Sequence, residues 1–76
     1  MRKTFELEEL DCAHCAARME EAIRKLDGVR EASVNFLAQK FTLEAEDADF
    51  DKLLKKAQKI CRRIEPDCRI VVEEDA

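Results

Sequence analysis

The order in which the hydrophobic period alternates between two and about 3.6 residues limits the folds open to this chain more than any other feature. Phe5 and Leu7 fall on one side of residues 3–9 and Thr4, Glu6 and Glu8 on the other, which predicts a half-buried strand. From about 13 to 26, Ala16, Met19, Ala22, Ile23 and Leu26 recur every three or four positions. That spacing predicts a helix, with Asp11 placed to cap its start and Gly28 as its stop. Alternation resumes over residues 29–36 with Ala32, Val34 and Phe36, turns at Leu37 to Lys40, and continues through Phe41, Leu43 and Ala45. A second helix, capped by Asp47 or Asp49, carries Phe50, Leu53, Leu54, Ala57, Ile60, Cys61 and Ile64 on one face. It must end at or before Glu65, because Pro66 disfavours helical geometry in the residue ahead of it. Cys68, Ile70 and Val72 then alternate as a last strand, and Glu74 to Ala76 form a frayed tail.

This βαββαβ order predicts an α+β fold of the ferredoxin-like class, a four-stranded antiparallel sheet with two helices on one face. Nothing in the 76 residues marks a linker, so residues 1–76 read as a single domain with a core over about 3–73. Following the chain up and down this fold brings three loops to one end: Asp11 to His14, Leu37 to Lys40, and Glu65 to Asp67.

Charge and hydropathy exclude several functions. A net charge of -4 argues against nucleic acid as a partner, and the four Phe sit at core positions. Apolar runs are far shorter than the roughly 20 residues needed to insert in a membrane. The basic start, Arg2-Lys3, leads into alternating residues and not a continuous apolar signal region, so the expected location is cytoplasmic. High charge content reflects solvated faces such as Glu20 with Arg24 and Glu21 with Lys25.

The four cysteines of such a chain are expected to be reduced, which directs attention to metal or redox chemistry. Cys12 and Cys15 lie three apart at a helix start, where unpaired N–H groups and the helix dipole favour thiolate, the metal-binding form. Cys61 and Cys68 are spaced too widely for a zinc half-site and fall on core faces. Cys68 also begins the last strand near the metal end, where an auxiliary thiolate is the alternative to core packing.

The segment Leu10-Asp11-Cys12-Ala13-His14-Cys15-Ala16, followed by Leu26-Asp27-Gly28-Val29 and Val34-Asn35-Phe36, resembles the heavy-metal-associated domain over nearly the whole chain. That family includes soluble metallochaperones and amino-terminal domains of heavy-metal-transporting P-type ATPases, and the resemblance implies that Cys12 and Cys15 hold the metal. The usual copper form has Gly-Met-Thr ahead of its first cysteine. Glu9-Leu10-Asp11 stands there in this chain and looks more like the zinc, cadmium and lead branch. Ligand chemistry agrees: Cu(I) is content with two thiolates, whereas zinc takes four ligands that include oxygen or nitrogen. Asp11 is therefore either a metal ligand or a helix cap, and Glu65 either completes an oxygen-containing shell or is an ordinary loop glutamate. His14 is expected to point away from the ion.

The expected function is to bind and transfer Zn(II) or Cd(II), with Pb(II) in the same class, through Cys12 and Cys15 with Asp11 and Glu65. The resemblance implies the amino-terminal domain of a metal-transporting ATPase. Its partners are then that pump's membrane domain or another metal-binding domain, and catalysis lies outside this domain. A stand-alone Cu(I) metallochaperone is the alternative. Thiol-disulfide exchange is the alternative of another class, although the flanks do not resemble a thioredoxin motif.

Overall fold

A computed structural model describes residues 1–71. Its elements are β1 (Arg2–Glu8), α1 (Ala13–Arg24), β2 (Val29–Asn35), β3 (Lys40–Ala45), α2 (Asp47–Ile64) and β4 (Arg69–Val71). The strands form one antiparallel sheet in the order β2-β3-β1-β4. This is the ferredoxin-like βαββαβ arrangement that the alternating periods predict. Val72 and the tail of residues 73–76 lie outside the described residues.

The two periods meet in one core. Strand residues Ala32, Phe41, Leu43 and Ala45 face helix residues Met19, Ile23, Phe50, Leu53 and Ala57, all buried. Phe41 occupies the sheet centre, paired with Phe5 of β1 and Val34 of β2. The Phe5 ring lies 6.3 Å from both Phe41 and Phe50, tying the sheet to α2. A register shift between Val29 and Glu31 inserts Arg30 as an extra residue, and this is why Val29 and Ala32 both face inward despite odd spacing.

Several boundaries differ from the sequence reading, each for a local reason. Helical bonding in α1 ends at Arg24, with Lys25 as C-cap. Leu26 still packs on the core, but through the turn that leads to Gly28, whose φ of 98° suits only glycine. Phe36 packs on the core from the turn at 36–39 and not from β2. Neither Asp47 nor Asp49 caps α2: the N-cap is Glu46, without a side-chain bond, and both aspartates lie in the first turn, where the dipole favours them. The exit from α2 follows the proline rule, with Glu65 extended at φ -135° and ψ 97° ahead of Pro66.

Helix side chains also bond to the two outer strands. Gln58 of α2 donates to the Ile70 carbonyl at 2.8 Å and accepts from the Ile70 N–H at 2.7 Å. Glu20 of α1 accepts from the Val34 N–H, and Arg24 donates to the Ala32 carbonyl, both at 2.8 Å. The expected Glu20–Arg24 and Glu21–Lys25 pairs form at 3.5 and 3.4 Å. Among the described residues no helix is long and apolar enough to cross a membrane.

Candidate metal centre

The approach to the Cys pair is set by residues that chelate nothing. After β1 the chain reverses through Glu9 at a φ of 62°, a conformation that costs a non-glycine residue free energy. Leu10 then buries its side chain in the core. Its carbonyl accepts from Gln39 Nε2 at 2.9 Å, and the same amide reaches the Phe36 carbonyl at 2.8 Å. The loops of residues 9–12 and 36–39 are thereby braced together at one end of the sheet, as the topology predicts.

Cys12 itself is the N-cap of α1: its Sγ accepts from the Cys15 N–H at 3.4 Å, and its carbonyl accepts from the Ala16 N–H at 3.0 Å. The expectation that Asp11 caps this helix is therefore corrected. Extended geometry at Cys12 puts its own sulfur over the open N–H groups and leaves exposed Asp11 one residue outside the cap.

These contacts make the two half-buried sulfurs unequal. The Cys15 backbone N–H lowers the Cys12 thiol's pKa most, aided by the Cys15 side chain and the His14 N–H, against partial burial and the Glu65 charge. Cys15 is pushed up to about 12, first by donating its proton to Cys12 and then by the Glu65 carboxylate beside it. Cys12 thus gives up its proton more readily than Cys15. A soft or borderline cation that displaces the proton from Cys15 as well bonds to two thiolates at once.

His14 is exposed, as expected, and contributes its backbone N–H to Cys12. Glu65 is half-buried beside Cys15. Cys61 and Cys68 are both buried, with their sulfurs 2.9 Å apart. The negative charges of Glu65 and Asp11 both act on Cys68, so the acidic residues and the second thiol pair occupy the same end of the molecule. Among the described residues no group of three or more His, Cys, Asp or Glu side chains is drawn together as a ready ligand set. Sequence reasoning missed the bracing role of Gln39; its only signal was a place in a loop assigned to the metal end.

A ferredoxin-like sheet and helix layer with a free cysteine pair at the first helix start defines a small metal-binding domain. The chain belongs to the heavy-metal-associated domain family, whose model matches residues 4–66. It is 34% identical over 82 residues to a probable cadmium-transporting ATPase of Staphylococcus aureus, a match covering 97% of this chain and 10% of that protein. It is also 36% identical over 53 residues to a copper-exporting P-type ATPase of Staphylococcus aureus (strain Newman), covering 67% of this chain and 7% of that protein. A solved structure similar to this fold is the Cu(I)-loaded N-terminal domain of a potential copper-translocating P-type ATPase from Bacillus subtilis. It has a TM-score of 0.67 and 27% identity, and the match covers 99% of this chain and 91% of that one. The chain thus spans about a tenth of the length of the curated pumps it matches.

Proposed function

We propose that this domain binds Zn(II) or Cd(II), with Pb(II) in the same class, through Cys12 and Cys15, with oxygen donors from Asp11 and Glu65, and hands the ion on. The observation that carries this reading is the Glu65 carboxylate beside the Cys15 thiol, which sets an oxygen donor next to the sulfur pair. A divalent ion displacing the Cys15 proton gains both the second thiolate and that carboxylate, whereas Cu(I) needs only the sulfurs. With Cys12 as the helix cap, Asp11 has no capping role to set against ligation. In a two-sulfur site at a loop end, a partner's thiolates can enter one at a time, so the ion moves without being released to water.

The cadmium-transporting relative favours placing this domain at the amino terminus of a metal-transporting P-type ATPase, with the pump's membrane domain or a sister metal-binding domain as recipient. Catalysis then resides elsewhere in the pump, and the domain works on the cytoplasmic side. The copper relatives favour a second reading, Cu(I) on the same two sulfurs.

Competitive titration with Zn(II), Cd(II) and Cu(I), followed by X-ray absorption of each loaded form, separates the readings. Zinc and cadmium should show two sulfur neighbours plus oxygens, with an oxygen lost in Asp11→Ala or Glu65→Ala. Binding of every ion should collapse when Cys12 and Cys15 are both changed to Ser. An all-sulfur site that holds only Cu(I) under competition would establish the copper reading instead.

A further inference from the structure

Cys61 lies in the last turn of α2 and Cys68 immediately precedes β4. Each is only 1% exposed, and their sulfurs stand 2.9 Å apart, closer than unbonded sulfurs ordinarily approach and about 0.9 Å beyond a disulfide bond. A metal ion bridging two thiolates at about 2.3 Å each would hold the sulfurs considerably further apart. Two thiolates would also lie here beside the charges of Glu65 and Asp11, which the Arg62 guanidinium offsets only at Cys61.

We infer that Cys61 and Cys68 are a modification site, at which a low-molecular-weight disulfide such as oxidised glutathione converts the two thiols to an intramolecular disulfide. One sulfur, as thiolate, attacks the reagent's S–S bond, releases one reduced thiol and leaves a mixed disulfide on the protein. The neighbouring thiol gives its proton to solvent, attacks the protein-side sulfur and expels the second reduced thiol. The protein loses two electrons and two protons, and the reagent gains them.

Burial keeps both thiols protonated and out of reach while the domain is closed, with Cys68 pushed up to about 12 by desolvation and then by Cys61. Reaction therefore requires an opening. β4 supplies it, because it is the outer strand at one edge of the sheet, where its described residues pair with β1 at Glu6–Val71, Leu7–Ile70 and Glu8–Arg69. Reclosure of β4 returns the modified sulfur to its partner, so ring closure outruns attack by a second reagent molecule. The resulting link spans Glu65, Pro66 and Asp67, and fastens the loop that carries Glu65.

The test uses the whole chain, unmodified and as the Cys12→Ser/Cys15→Ser variant, treated with oxidised glutathione without denaturant. Trypsin can cut after Arg62 and Arg63, so a link leaves the Cys61 and Cys68 peptides joined. In the variant both thiols should disappear together, the mass should fall by two hydrogens, and Tm should rise by roughly 5 °C or more. In the unmodified chain the same two peptides should be joined. Stable glutathione adducts on Cys61 or Cys68, links between separate chains, or pairing of either cysteine with Cys12 or Cys15 would overturn the inference. So would a metal ion that the variant binds and that shields both thiols from the reagent.

Discussion

Cys12 and Cys15 look equivalent in the sequence, yet the fold eases ionisation of the first and holds the proton on the second. Alkylation with iodoacetamide near neutral pH should modify Cys12 about tenfold faster than Cys15 or more, because only the thiolate reacts. Glu65→Ala should lower the Cys15 pKa and narrow that gap, which peptide mass spectrometry across a pH series can follow. Equal rates in the unmodified chain would show that the proton is not held on Cys15. The C-x-x-C spacing singled out the two sulfurs as candidates and placed them at a helix start, where the structure has them. It could not assign the cap to Cys12 and not Asp11, because a one-residue shift depends on how Glu9 and Leu10 turn the chain into the helix. Glu9 and Gln39, the non-glycine residues with positive φ among the described residues, likewise carry no sequence signal; only a glycine or asparagine would have announced that backbone.

The elements were legible because their hydrophobic periods are strong and Pro66 marks one stop outright. Their ends were less so. Leu26 and Phe36 belong to the core but reach it from turns, and a pattern of apolar positions cannot tell a helical or strand residue from a turn residue that packs inward. β4 starts at Arg69, one residue after the Cys68 from which the alternation runs, and besides its pairing with β1 it is held by one side chain of α2. Removing that amide in Gln58→Ala leaves the Ile70 N–H and C=O without their partners, at a cost of about 1–3 kcal/mol. Urea denaturation should show the loss, and the Ile70 amide should exchange faster with solvent than in the unmodified chain. Unchanged exchange there would mean that the clamp contributes little to holding β4.

The whole molecule encloses its second thiol pair so fully that its stability should fall at alkaline pH. Unfolded thiols ionise around pH 8.5, whereas folded Cys68 keeps its proton until about 12 and Cys61 is also raised. The folded state therefore binds more protons across that window. Stability should be level with respect to these thiols at neutral pH and decline as pH climbs from about 8.5 towards 12. Urea midpoints at neutral and alkaline pH should diverge more for the unmodified chain than for Cys68→Ala; identical divergence would exclude the buried thiol as the cause. The bonds from Glu20, Arg24 and Gln58 to Val34, Ala32 and Ile70 also bear on how the molecule meets others. They occupy backbone groups midway along both rims of the sheet, where an incoming strand would otherwise dock. Crowded copies of this domain are thereby discouraged from joining into fibres by strand addition.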